Sequence, residues 1–486
     1  MKDSDVIIIG AGIGGLICAG LLASKGVRVL VLEKNPTPGG YLSSFDRGNF
    51  RFDSAVDCFS GLDGKGVIRY VLRALEVEDE IKFVRVNPIR ESIFPGLKVI
   101  VDGNLKVYVE NLKRLFPREK NGIDSFFFSM NQIYSDIAGW AEKLLYDKNE
   151  SIFPANLVRY SNHTYECLLD EHFKNEKKLK TVLSDRCPFL GLSPSKVSAV
   201  NMCALMMSYF DSGAYRAIGG CQKLADTLVK GIKKKGGQVL FKKEASSIQV
   251  EKNKASGVSV LDGTKYTGEI VVSNIDFTLT FTKLLKDSFS KANKETLRKS
   301  EISSSFFILY IGTDKDLTFL QNSSSIGYFP SFNMESFFGS SHSFKESSSF
   351  GITIPTISDR TMAPPGCHSI SVHEMADYSY TDSWEEKKHE LTSKVLKKAE
   401  KVLPGLQKNI MHLEAASPVT LERFTSNFKG AAYGWQQLPG KKNLNSKISN
   451  LYIAGHWGEM GGGILASAYS GFKAAKDILK RLSFQN

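Results

Sequence analysis

The chain has 486 residues, 42% of them hydrophobic and 23% charged, enough for about three domains of roughly 150 residues around a sizeable core. Its formal charge of +12 comes from dispersed lysines and arginines without a recognisable nucleic-acid motif; this excludes nucleic acid as a partner and leaves a lysine-rich soluble surface or attraction to anionic lipid headgroups. The seven cysteines are odd in number and contain no CxxC pair, and the eight histidines show no HExxH, so the thiols read as reduced in a cytosolic protein and no metal is expected.

In chain order, "VIIIGAGIGGLICAGLLASKGVRVLVL" at residues 6–32 comes first. Gly10, Gly12, Gly14, Gly15 and Gly20 and the charges of Lys25 and Arg28 interrupt the apolar run, so it is not a membrane span, and nothing else in the chain reaches the required length. It reads as strand, turn, helix and strand. Gly10, Gly12 and Gly15 fit G-x-G-x-x-G, with Ile13 and Gly14 inside the turn, and Glu33 follows at the end of the second strand. In that context the glycines turn the chain, admit a pyrophosphate and pack the helix, while the acid accepts from a ribose hydroxyl. Lys34 follows, and then the Gly39-Gly40 pair, which many flavoproteins use where the chain passes the FAD pyrophosphate and ribityl.

Further along, residues 123–140 and 196–210 are helical and rich in Phe and Met, which suits a long apolar tunnel. From Tyr215 a glycine pair precedes an amphipathic helix with Leu224, Leu228 and Ile232 at four-residue spacing. A strand, a β excursion around Ala245 and the buried strand "EIVVSN" follow. Residues 325–344 are aromatic but too broken for a long helix. His368 and His373 are five apart on a strand, hence on opposite faces and unsuited to share a metal. At the end, "LYIAGHWGEMGGGILASAYSG" (451–471) forms another strand, glycine turn and helix.

The opening 60 residues, the block from Tyr215 and the final 75 residues together resemble the FAD-dependent phytoene desaturase, carotenoid isomerase and retinol saturase family; residues 417–435 resemble that family's strand and aromatic loop, closest to the isomerases and saturases. The resemblance implies an α/β fold: a discontinuous Rossmann-like FAD-binding domain (1–78, 212–284, 415–486) with an inserted mixed-sheet and helical substrate domain (79–211, 285–414). It places Ala245 at the adenine, and Gly455, Gly463 and Ile464 at the ribityl and isoalloxazine. Where many flavoproteins have Gly-Asp, this chain has Gly455-His456. Tyr433 and Trp435 would be pocket walls. Ala55 and Asp57, where relatives often have glycine and histidine, would lie near the flavin. His456 and Glu459 are the polar candidates for catalysis. The implied activity is desaturation, saturation or cis–trans isomerisation of a long polyene or isoprenoid lipid by a cytoplasmic enzyme resting on an anionic membrane surface. No second G-x-G-x-x-G is found, so electrons would come from or go to an external partner such as a quinone. The alternatives are an FAD-dependent amine oxidase and a non-catalytic lipid-binding flavoprotein.

Overall fold

The computed structural model describes residues 3–146, 154–285, 301–338, 344–440 and 448–483, and two seven-stranded sheets carry its architecture. The first sheet has a parallel centre. Ser4–Ile9 lies between Lys265–Ser273 and Val29–Leu32, and Gln238–Leu240 flanks the latter. Leu451–Ile453 pairs in parallel with the far side of Lys265–Ser273, and the hairpin Ala245–Glu251/Lys254–Val260 extends that strand antiparallel. Val6 to Ile9 is buried throughout, as expected of strands covered on both faces.

The helix Ile13–Ser24 packs on this sheet against Ile464–Ser483. The approach depends on missing side chains: a Cβ on Gly471 would stand 1.9 Å from the Gly14 carbonyl oxygen. The last strand–turn–helix unit thus lies beside the first.

The second sheet runs Ile410–Ala416, Ser305–Thr313, His368–Ala376, Phe350–Thr353, Ser325–Tyr328, Arg90–Phe94 and Leu97–Val101. Only the pairing of Ser325–Tyr328 with Arg90–Phe94 is parallel. Beside it, Leu105–Leu115, Lys120–Tyr146, Tyr165–His172 and Ala199–Ser212 bury an aromatic and methionine-rich core containing Phe126, Phe127, Met130, Met202 and Met206. Among the described residues no helix is long and apolar enough to cross a membrane.

One expected element is corrected. The strand in this region ends at Ala416, and Pro418–Thr425 is a helix. Ser417 caps it: its Oγ accepts from Thr420 N at 3.4 Å while Thr420 Oγ1 accepts from Ser417 N at 3.2 Å. Pro418 in the first turn loses no hydrogen bond.

Candidate functional site

A cavity of about 970 Å³ runs from the edge of the first sheet to the face of the second. At its first end the walls are mostly backbone. Gly10, Gly12, Ile13, Gly14, Gly39, Gly40, Ala245, Gly455, Gly463 and Ile464 all line it, with Glu33 and Lys34. Gly12 and Gly39 meet in an isolated bridge, and Gly39 N donates to Ala11 O at 2.9 Å. A Cβ on Gly12 would come within 3.1 Å of Asn274 Nδ2, and one on Gly14 within 2.6 Å of Gly455 N. Gly15 stands behind the wall, where a Cβ would meet Gly10 O at 2.2 Å.

Glu33 is 6% exposed. Each of its oxygens accepts one backbone N–H at 2.8 Å, from Ala11 and from Asn35, which leaves lone pairs over for a ribose. Burial pushes its carboxyl above the usual range, with these two hydrogen bonds opposing. Lys34 donates to Ser426 Oγ (2.6 Å) and Arg423 O (2.9 Å), so it ties the loop to the helix Pro418–Thr425. Bare backbone that any side chain would obstruct, a carboxylate at the strand end and a helix N-terminus at Gly463–Ile464 fit a flavin dinucleotide.

The other end is a chamber. Ile137, Phe189, Leu190, Ala204, Leu205, Phe306, Ile308 and Tyr433 supply apolar wall, and Ala55, Asp57 and Cys58 form part of its rim. His456 lies between the two ends. Asn427 Oδ1 receives Trp457 Nε1–H at 2.8 Å and contacts His456 Nε2 at 3.0 Å. Indole nitrogen only donates, so the Asn427 atom is the oxygen and His456 Nε2 carries the hydrogen. Burial lowers the imidazole to about 4, opposed in part by the backbone of Ala432, so the ring is neutral near pH 7. Tyr41, its ring centroid 6.0 Å away, donates to Gly430 O and Ala431 O, and burial pushes its phenol up to about 12.

Below the chamber lies an ionic cluster. Asp57 Oδ1 binds Arg216 Nη2, its backbone oxygen accepts from Arg216 Nε at 2.7 Å, and its Oδ2 accepts from Ser325 Oγ. Burial opposes the ionised form, yet Arg216, Ser325 and Arg90 outweigh it and hold the Asp57 carboxyl below its usual range. Arg90 stacks over Phe189, its guanidinium carbon 4.8 Å from the ring centroid. Burial, followed by the like charge of Arg186, lowers Arg90 to about 10.

Two expected site residues fall elsewhere. Trp435 does not line the cavity; it is buried in the first sheet's flank, 4.9 Å from Trp457 and 5.4 Å from Phe277 between ring centroids. Residues two apart share a face only in extended chain, and Gly434 at φ +70° turns Trp435 away from the side of Tyr433. Glu459 is exposed, 3.6 Å from Lys473, and does not line the cavity. Sequence reasoning missed Arg90, Arg216, Asn274, Ser325 and Asn427. Only Arg216, three residues before the Gly219–Gly220 turn, carried a local signal. His373 was weighed solely as a metal ligand. It lines the cavity, while His368 Nδ1 contacts Thr356 Oγ1 at 2.9 Å on the other face.

Residues 13–479 match the family model described as flavin containing amine oxidoreductase. A prolycopene isomerase of Daucus carota is 27% identical over 517 residues, covering 100% of this chain and 81% of the relative. An all-trans-retinol 13,14-reductase of Danio rerio is 24% identical, covering 93% and 82%. In structure, an oxidoreductase from Methanosarcina mazei superposes with a TM-score of 0.66 at 17% identity, covering 98% of this chain and 100% of its own.

Proposed function

Since the chain belongs to the flavin containing amine oxidoreductase family, we propose that it is an FAD-dependent enzyme acting on the carbon–carbon double bonds of a long polyene or isoprenoid lipid. The observation that carries this reading is the single cavity in which a bare-backbone dinucleotide cradle opens directly into a largely apolar chamber. The names of full-length relatives, prolycopene isomerase and retinol 13,14-reductase, favour isomerisation or saturation.

Gly12, Gly14, Gly39, Gly40, Glu33, Gly455 and Gly463 would hold the FAD, which when bound supplies hydride or electron exchange. The chain's own residues do the rest. Phe189, Leu190, Leu205 and Phe306 fix an extended hydrocarbon and keep water out. His456, neutral and held by Asn427, presents a fixed dipole without adding charge. Glu33 orients the ribose.

An amine oxidase reading shares the fold, but a protonated amine in this chamber would meet the buried guanidinium of Arg90. The test is anaerobic incubation with a poly-cis carotene. Dithionite-reduced holoenzyme should isomerise or saturate it, and oxidised holoenzyme should do little. Bleaching of oxidised enzyme by a less conjugated lipid would assign desaturation, and turnover of simple amines with release of hydrogen peroxide would overturn the proposal.

A further inference from the structure

The chamber's floor holds more fixed positive charge than negative. Arg90, Arg186 and Arg216 are 3%, 4% and 2% exposed and face two buried carboxylates, Asp57 and Asp185. Asp57 is taken by Arg216 and Ser325. Asp185 is shared by Arg90 at 3.8 Å and Arg186 at 3.9 Å, both beyond hydrogen-bond reach, while its Oδ2 accepts from Ser92 Oγ. Other acids close by are engaged: Asp53 by the Ser44 hydroxyl and Cys221 N–H, and Glu91 by Lys98 and Ser323. Among the described residues one guanidinium is left over. A buried charge without a counter-charge is expensive, and Arg90, which lines the cavity, has one long side-chain hydrogen bond among the described residues, Nη1 to Ser325 Oγ at 3.4 Å.

The sheet is shaped to present it. Gly327 and Gly351 are direct cross-strand partners. A Cβ on Gly327 would lie 2.2 Å from Arg90 Nη2, and one on Gly351 would lie 2.7 Å from His373 Nε2. Both side chains therefore lie flat in a trough made by two glycines. In the adjoining register Thr353 pairs with Ser371, both line the cavity, and Thr353 Oγ1 has no hydrogen-bond partner among the described residues.

We propose that the lipid of this chamber carries a carboxylate at one end, anchored by Arg90 with hydrogen bonds from Thr353, Ser371 and His373. This rests on reading the chamber as a lipid site. A planar guanidinium matches a carboxylate in two parallel hydrogen bonds, and the anion restores neutrality to the floor. Burial, the larger influence, lowers His373 to about 4 against the pull of Asp57, so it contributes a neutral N–H.

The test uses cis-parinaric acid, a conjugated tetraene fatty acid whose fluorescence rises on entering an apolar site, and its methyl ester, both titrated into flavin-loaded protein. The acid should bind at least about tenfold more tightly than the ester. Arg90→Met should abolish that preference and leave the affinity for the ester unchanged, with flavin content and circular dichroism reporting the fold. Thr353→Val, which leaves the ionic cluster intact, should narrow the preference and serves if the first variant does not fold. Equal binding of acid and ester by the parent protein, or a preference that survives Arg90→Met, overturns the anchor but keeps the lipid chamber. Binding of neither probe overturns both.

Discussion

Replacing Asp57 by Asn keeps the side chain's size and removes its charge. Asp57 and Arg216 are buried, with side chains 6% and 2% exposed, and bonded twice, through the carboxylate and the backbone oxygen. In Asp57→Asn the guanidinium remains buried with its counter-charge gone, a change that costs about 3–5 kcal/mol for pairs of this kind. The sign with pH follows from the direction of the shift. The folded-state carboxyl lies below its ordinary 3.8, so its stabilisation is complete above the unfolded value and is lost only as pH falls through the folded one. The deficit of the Asn variant should therefore be constant across the neutral range and shrink in acid. Urea unfolding followed by tryptophan fluorescence, at fixed FAD concentration because ligand binding shifts the midpoint, measures it. The double variant Asp57→Asn/Arg216→Met removes both charges and should recover most of the loss. A single-variant deficit below about 1 kcal/mol, or a double variant no better than the single, would refute the pair as the chamber's structural centre, since breaking a true buried pair costs several times that.

Three further outcomes are expected. Gly12→Val should abolish flavin retention, because its side chain would crowd Asn274 Nδ2 and fill the cradle; yellow protein with stoichiometric FAD after gel filtration would contradict it. His456→Gln keeps a donor for Asn427 but cannot titrate. The native ring, held at about 4 against an ordinary 6.5, binds fewer protons than the unfolded one between those values, so His456 should account for about 3 kcal/mol of the stability the parent loses as pH falls through that window; an equally steep loss in the variant would exclude His456 as a source. With a net charge of +12, the protein should float with liposomes only when they contain anionic lipid, and less as salt rises, because headgroup attraction is screened over about 10 Å at 0.1 M; salt-independent flotation would point to insertion instead.

What was legible in the sequence was local. The strand–turn–helix at either end, Glu33 and the Gly39–Gly40 loop are each set by residues within a few positions of one another, and periodicity reports them directly. Their assembly into one cradle was less visible but still inferable, since fully apolar stretches such as Val6–Ile9 and Ile270–Val272 suit a buried parallel sheet. The chamber's floor was not legible because it is made by register. Arg90 meets Ser325 across 235 positions and Asp57 meets Arg216 across 159. Gly351 reads as an ordinary strand residue until His373 is placed opposite it. One turned peptide was enough to mislead about the wall: Gly434, at φ +70°, sends Tyr433 to the cavity and Trp435 to the core, where simple alternation puts both on one side. The same distinction separates family from specificity. Short-range glycine patterns decide that a dinucleotide is held, whereas the charge of the molecule beside it depends on how three arginines and two aspartates from distant strands and loops balance. In this chain the balance leaves one guanidinium facing an apolar chamber, an arrangement that disfavours an amine and accommodates an acid.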